Sequence, residues 1–574
     1  MQFLSLSIGL LYFGIHAATA DNSTILSPTI DTFINNLLTE WKTPGGVGVA
    51  VVRMSAEGRW LVETKGYGVA KADGTSVTPD TIFSLGSNSK LFDILATGLL
   101  ISNQSLSPQI SWTTKMTSML PDWKLMDPVA SSESTIIDLM SHRTGLPRHD
   151  ESYFVKNETL RALVRRLRYL KPSAGFRETF QYNNMMYAVL SYLPTTLLPH
   201  KPPFERYVTD NIIDPLGLNS TTYSFAAANG TGRMADGFFR LGTSPTDSAF
   251  DAGTLKVPYI LNGETFFGPG GVLSTAVDAA RWLQMLILNG QHPTTNATII
   301  PSSVIQMVAT GVTVSDGNAD APELSPLVYG GGQVQSSYRG HVMIEHGGDV
   351  PGFHSQITRF PADGVGIAVL TNDDYGVLMK EVIKFRIIDE IFGPDPVDWD
   401  SRYKAAIQAI YAAPPSTPAP PNASLPLPFA AMQGAYRNRG YGRDIMLCAP
   451  ATPAQHCRTV LADLNNTFPT ALATADLLWA WDRLDLSYVT LTHFDGAVFN
   501  LTSWVVAPTG NASAPLFTYG PTGGSVVVEF AVQKGKVAGF GISGGFWGAG
   551  DSVGEPKGIT VEARSEVWFD ALGV

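Results

Sequence analysis

Residues 82–102 read IFSLGSNSKLFDILATGLLIS, and the change of pattern at Gly86 decides how the chain folds around them. Ile82–Leu85 reads as a short strand. From residue 88 onward Leu91, Ile94, Leu95, Leu99 and Leu100 recur at helical spacing, which predicts a helix over 88–102. A strand that turns through a glycine into a helix sets Ser87 at the helix N-terminus, where the partial positive charge favours developing negative charge. Lys90 lies one turn further on the same face, within reach of that hydroxyl. Its amine can accept a proton only while unprotonated, a state that burial favours. Alone the Ser-x-x-Lys pattern is weak, because a chain of 574 residues contains about one by chance.

Two further motifs follow in order. The first is Tyr182-Asn183-Asn184, within ETFQYNNMMYAVL. A tyrosine hydroxyl beside a lysine can relay a proton, and the Asn184 amide can hold the lysine or a substrate carbonyl. The second is His346-Gly347-Gly348-Asp349, within HVMIEHGGDVPGFHSQITRF. Its glycines let backbone approach a ligand closely, and an amide facing the serine can supply half of an oxyanion hole.

Taken together, Ser-x-x-Lys, Tyr-x-Asn and His-x-Gly in this order resemble the serine β-lactamase and penicillin-binding-protein superfamily. The version with Ser-Asp-Asn and Lys-Thr-Gly is not matched. The pattern is more similar to the class C β-lactamase branch with its esterase and D-aminopeptidase relatives, as found among secreted proteins of filamentous fungi. LMSHRTGLP (139–147), FGPGGVLSTAVDAARWL (267–283) and FPADGVGIAVLTN (360–372) resemble landmarks of the same branch, over about residues 27–395. The resemblance implies Ser87 as an acylated nucleophile, Lys90 as its base or base partner and Tyr182 as the proton relay. It also implies Asn184 as a contact to lysine and substrate, with the amides of Ser87 and Asp349, beside Gly348, as oxyanion donors. His346 stands where that branch has its third-motif lysine. A neutral histidine lacks the fixed charge that would pair with a penicillin carboxylate, so esters or small amides are the expected substrates. Asp349 is an oddity, since a carboxylate beside a developing oxyanion is unfavourable unless it points away. His142 and His354 fall in no catalytic motif and are read as structural.

Around these motifs the chain divides unevenly. Residues 1–20 read as a signal peptide, with an apolar run at 3–15 and Ala18-Thr19-Ala20 as cleavage site. Residues 27–400 mix helical stretches (31–42, 275–289) with strands (46–54, 59–66, 341–346, 353–359, 365–371), a distribution that suits an α+β domain whose sheet is completed by distant segments. The resemblance makes this an antiparallel sheet flanked by helices, with a helical subdomain. Residues 412–428 carry seven prolines and read as a semi-rigid linker. The remainder, 429–574, has short β-branched runs at 486–492, 496–507, 525–533 and 536–542, which predict a small all-β barrel or sandwich. AMQGAYRNRGYG (431–442) is similar to the first strand of the lipocalin-like barrel that some members of the superfamily carry.

A net charge of −11 argues against nucleic acid as a partner, and no segment is apolar for long enough to span a membrane. Ten Asn-x-Ser/Thr sequons, at Asn22, Asn103, Asn157, Asn219, Asn229, Asn296, Asn422, Asn465, Asn500 and Asn511, suit a secreted glycoprotein. Cys448 and Cys457 would then form a local disulfide; zinc held by them and His456 is the weaker alternative. With no His-Glu-x-x-His, neither a metal nor another cofactor is expected. Gly541-Ile542-Ser543-Gly544-Gly545 imitates a nucleophile elbow, but no histidine follows His493 and the surroundings read as β-structure. The expected partner is a small ester, amide or peptide, cleaved by a secreted serine hydrolase. Acyl transfer to an acceptor other than water, or binding without catalysis, are the alternatives. Nothing in the sequence fixes the oligomeric state.

Overall fold

A computed structural model describes residues 24–153, 158–240, 254–257, 259, 263–393, 395–411, 420, 423–467, 469–484, 486–508, 516–519, 526–550 and 553–573. The signal-peptide reading of residues 1–20, most of the linker 412–428, and the sequons at Asn22, Asn157, Asn422 and Asn511 lie outside these residues.

The first domain is built on an eight-stranded antiparallel sheet in the order Trp60–Gly68, Gly46–Met54, Val365–Thr371, Phe353–Phe360, His341–Val350, Val334–Tyr338, Leu327–Tyr329, Thr313–Asp316. Segments more than 300 residues apart thus pair directly, with Val47 opposite Thr371 and Arg53 opposite Val365. The two-residue alternation of the central strands explains why both faces are covered. Val47, Val49, Val51, Ile367 and Val369 point to one core, beneath the helices Pro28–Glu40, Gly376–Phe392 and Trp399–Tyr411. Ala50, Val52, Ala368 and Leu370 point to the other, against Ala276–Ile287 and the helical region that begins at Ser89.

The expected helix over 88–102 forms as Ser89–Ser102 and is buried on almost every side. Such a helix must be apolar all round or carry small residues where neighbours approach. Gly98 is one of these: a Cβ there would overlap Val304 Cγ1 and lie 3.2 Å from Cγ2, on the helix Ser302–Ala309. The strand expected at Ile82–Leu85 is shorter: Phe83 and Ser84 pair with Ser274 and Leu273, and Ile82 makes a single parallel bridge to Met234.

The second domain is a nearly closed antiparallel barrel. Its strands run Ile445–Leu447, Gly434–Arg437, Val567–Leu572, Lys536–Ser543, Val527–Gln533, Val498–Pro508, Leu486–Asp495, Leu477–Arg483. Reciprocal 2.8 Å bonds between Cys448 and Leu478 join the first strand's end to the last strand. Trp479, Trp481, Phe530, Phe540 and Phe569 fill the interior. The region expected to be all-β also carries the helices Arg458–Thr467 and Pro469–Thr474. Val460, Leu461 and Leu464 have helical spacing and pack outside the barrel wall, on a small core around the Cys448–Cys457 disulfide. Where the sequence left barrel or sandwich open, this structure is a barrel.

Gly98→Ala gives an unambiguous test of the packing. Alanine gains about 1 kcal/mol of helix propensity, but forcing a methyl onto Val304 costs about 1–3 kcal/mol. The expected outcome is a lower Tm in thermal unfolding, whereas Gly230→Ala, at a helix position with open space around it, should leave Tm within a degree or two.

Candidate active site

The turn that carries Ser87 is held by its neighbours in the same motif. Gly86 adopts φ +51°, and a Cβ on it would lie 2.9 Å from the Asp349 amide nitrogen, so only glycine lets the turn meet the strand His341–Val350. Gly348 is required for the complementary reason: a side chain there would overlap the Leu85 carbonyl and stand 2.6 Å from Ser355 Oγ. Asn88 donates to Ser355 Oγ (2.8 Å), which donates to the Leu85 carbonyl (2.7 Å). Ser89 Oγ donates to the Gly86 carbonyl (2.7 Å) and accepts from the Val272 amide (2.9 Å). The two middle residues of Ser-Asn-Ser-Lys are therefore fasteners, and the outer two are brought together.

Lys90 Nζ donates to Ser87 Oγ (3.0 Å), Asn184 Oδ1 (2.8 Å) and the Pro269 carbonyl (2.9 Å). These three acceptors are all uncharged, and the side chain is sealed from solvent. Burial, assisted by the nearby Arg148 charge, holds the amine's proton affinity well below that of an ordinary lysine. One turn on, Asp93 is buried with neither carboxyl oxygen hydrogen-bonded, and burial pushes its pKa far up.

The Tyr182 ring lies beside the lysine, with Nζ 4.8 Å from its centroid, and its hydroxyl bonds to Ser87. Burial raises this phenol's pKa, against the pull of Arg148 and Ser87, so it is a neutral proton donor and acceptor. Asn183 caps the helix Asn184–Ser191 by accepting from the Met185 amide (2.8 Å), and its Nδ2 donates to the Pro147 carbonyl (2.6 Å). That contact ties the Tyr-Asn-Asn segment to residues 142–150.

His346 is buried, with Nε2 2.9 Å from the Tyr329 hydroxyl and Nδ1 2.5 Å from the Gly347 carbonyl. Burial and the nearby Lys90 lower its pKa to about 4, so it is neutral at physiological pH, as expected. The Asp349 oddity also resolves. Its carboxylate turns to His354 Nδ1 (2.7 Å) and Lys380 Nζ (2.6 Å). Burial opposes its ionisation, but those two partners outweigh it and hold the pKa below the carboxylate range. The residue can thus present its amide toward Ser87 while its charge is neutralised elsewhere.

The two histidines read as structural both touch the site. The His142 ring centroid lies 4.4 Å from that of Tyr182 with the rings tilted by 37°, and its Nδ1 accepts from the Asn183 amide (3.1 Å). Three participants were not anticipated. Lys380 anchors Asp349; Asp150 accepts from Asn184 Nδ2 (3.1 Å) and Arg148 Nε (2.6 Å); and the Arg148 guanidinium lies 4.9 Å from the Tyr182 ring centroid. Arg148 and Asp150 face the same cleft as Ser87, together with Phe266 and Leu484. The only signal for them in the sequence is their place directly after LMSHRTGLP. Among the described residues no cluster of His, Cys, Asp and Glu is arranged to hold a metal ion.

A model of the beta-lactamase family matches residues 33–391 of this chain. The chain belongs to that family. Two unguisins hydrolases are similar to it: that of Aspergillus violaceofuscus is 28% identical over 79% of this chain and 84% of its own length, and that of Aspergillus campestris 30% identical over 74% and 78%. Among solved structures, the octameric penicillin-binding protein homologue of Pyrococcus abyssi superposes with a TM-score of 0.54 at 16% identity, covering 89% of this chain and 97% of that one. The D-amino acid amidase of Ochrobactrum anthropi, complexed with D-phenylalanine, gives a TM-score of 0.50 at 17% identity, over 63% and 99%. With family and relatives in agreement, the protein is a serine hydrolase.

If Arg148 helps keep Lys90 unprotonated, Arg148→Gln should move the acidic limb of any Ser87-dependent rate to higher pH. Arg148→Lys, which keeps the charge, should leave that limb in place. A pH series of labelling rates with a fluorophosphonate reads both, and an unchanged limb in Arg148→Gln would disconnect the two residues.

Proposed function

We propose that this protein hydrolyses an ester or small amide through a covalent acyl-enzyme on Ser87. The observation that carries the reading is the 3.0 Å contact between the amine of a buried lysine, surrounded by uncharged groups, and a serine hydroxyl at a helix start. Ser87 Oγ attacks the carbonyl carbon and its proton passes to the site's base, Lys90 directly or Lys90 through Tyr182. The developing oxyanion is met by the amides of Ser87 and Asp349. Tyr182 returns a proton to the leaving alcohol or amine as the bond to carbon breaks. Water then attacks the acyl carbon, loses its proton to the same base, and frees Ser87.

Substrate preference follows from charge. The neutral His346 offers no fixed cation, and the guanidinium of Arg148 is already paired with Asp150. A free carboxylate on the substrate gains little here, which favours esters and uncharged amides over classical penicillins. Efficient penicillin turnover with negligible esterase activity would overturn this preference.

The test of the nucleophile is intact-mass analysis after fluorophosphonate treatment. Wild type should gain one adduct, Ser87→Ala none, and Lys90→Met should label about 10²-fold more slowly or worse. If wild type stays unlabelled and is silent with ester, anilide and β-lactam substrates, the binding-protein reading replaces this one.

The same proposal extends to location: a secreted, N-glycosylated enzyme. It is supported by the Cys448–Cys457 disulfide and by the exposed sequons at Asn219, Asn229, Asn296 and Asn465. Expression in a eukaryotic host should deliver protein to the medium with a mass that falls on endoglycosidase treatment. Retention in the cytosol at unmodified mass would reject it.

A further inference from the structure

The barrel reaches the catalytic cleft at several points. Its Leu484 lines the cleft, and the Leu484 amide donates to the Tyr153 carbonyl (2.9 Å). More tightly engaged is the loop Gly544–Gly550, which follows the strand Lys536–Ser543 and begins inside the sequence that imitates a nucleophile elbow. The strand runs into this loop, and the next helix among the described residues, Val561–Arg564, starts well beyond it, so Ser543 has no elbow geometry, and the loop does something else. Its Trp547 carbonyl accepts from the His149 amide (2.9 Å), and its Ala549 carbonyl accepts from Gln181 Nε2 (3.1 Å). The loop therefore bonds to the immediate chain neighbours of Arg148 on one side and Tyr182 on the other. From behind, the Glu566 carboxylate accepts the amides of Gly545 (2.8 Å) and Trp547 (3.1 Å), which fixes the loop to the barrel.

Between these bonds lies Gly548. It adopts φ +69°, and a Cβ on it would lie 2.9 Å from Arg148 Cβ and Cδ and 3.1 Å from Cγ. The methylene stem of Arg148 is thus pressed by backbone on the barrel side, while its guanidinium lies over the Tyr182 ring. On the catalytic domain, among the described residues, its hydrogen bonding is the single contact from Nε to Asp150. One such bond leaves a long side chain several rotamers to choose among; a backbone wall against its stem removes most of them.

We propose that Gly548 is a positioning residue for the hydrolysis: the barrel loop seats Arg148 against Tyr182, so the second domain completes the acyl-transfer site. A side chain at 548 lifts the guanidinium off the ring and away from Asp150, and the Asp150–Asn184–Lys90 chain of bonds loses its outer anchor. The inference rests on the Ser87 reading above.

A double-mutant cycle on the full-length protein decides it, read as the second-order rate of fluorophosphonate labelling at Ser87. Gly548→Ala in the wild-type background should slow labelling about tenfold, within the range that a misplacement of about 1 Å produces. In the Arg148→Gln background the same substitution should change the rate less than about twofold, because there is no guanidinium left to displace. The acidic limb of the pH profile should move upward in Gly548→Ala as it does in Arg148→Gln, a change that a merely less stable barrel would not produce. Equal slowing in both backgrounds, or no slowing in either, overturns the proposal. If Gly548→Ala fails to fold, Glu566→Gln, which loosens the same loop from behind, takes its place in the cycle with the same expected outcomes. Wild type that fails to label defeats the Ser87 reading itself; wild type that labels with an additive cycle defeats only this inference.

Discussion

One amine has to stay dry. Lys90 Nζ sits on a helix buried on nearly all sides, and its three hydrogen-bond acceptors are a hydroxyl, an amide oxygen and a peptide carbonyl. No carboxylate bonds to it, and the more distant Asp150 and Asp93 do not outweigh the cost that burial puts on carrying charge there. The central position of the helix, the Asn183 cap that aims Asn184 inward, and the Gly86 turn that brings Ser87 against Asp349 are conditions for that arrangement. They also explain why the domain is closed by strands from both ends of a sequence of more than 300 residues. His341–Val350, which stands beside the helix start, is an inner strand of that sheet.

Charges close to the site follow the same rule of cancellation at short range. Asp349 is matched by His354 and Lys380, and Arg148 by Asp150. His346 is kept neutral by burial. The cleft therefore presents oriented dipoles and backbone amides more than net charge. Such groups are already aimed before substrate arrives and need little rearrangement as charge develops on a carbonyl oxygen.

Much of this was legible in the sequence, because both local pattern and chemistry were concentrated in short segments. The helix at 88–102, the strands at 46–54 and 365–371, and the barrel strands after residue 486 each declare their period. The residues Ser87, Lys90, Tyr182, Asn184, His346 and Asp349 converge where their motifs suggested. Arg148, Asp150 and Lys380 were not legible, because each acts through a partner distant in the chain: Arg148 with Tyr182 and Gly548, Asp150 with Asn184, Lys380 with Asp349. Single-sequence patterns carry no information about such pairings. His142 and His354, read as structural, do support their neighbours, but which neighbours was not legible, since a buried histidine supporting a catalytic group looks no different from one supporting a core. The helices at 458–474 were overlooked because their apolar residues face a small satellite core beside the disulfide, away from the barrel interior that set the expectation.

A proline-rich connector between two folds ordinarily marks independent modules that can be separated or exchanged. The packing contradicts that here. Aromatic side chains inside the barrel and apolar side chains of the helical region belong to one continuous core, and Arg166 of the first domain donates to the Gly440 carbonyl of the second. A catalytic half excised at the connector would bare the Arg148–Tyr153 wall and lose the surface against which it folds. The two folds behave as a single heritable unit: shuffling the barrel between relatives would reshape the hydrolase site along with it.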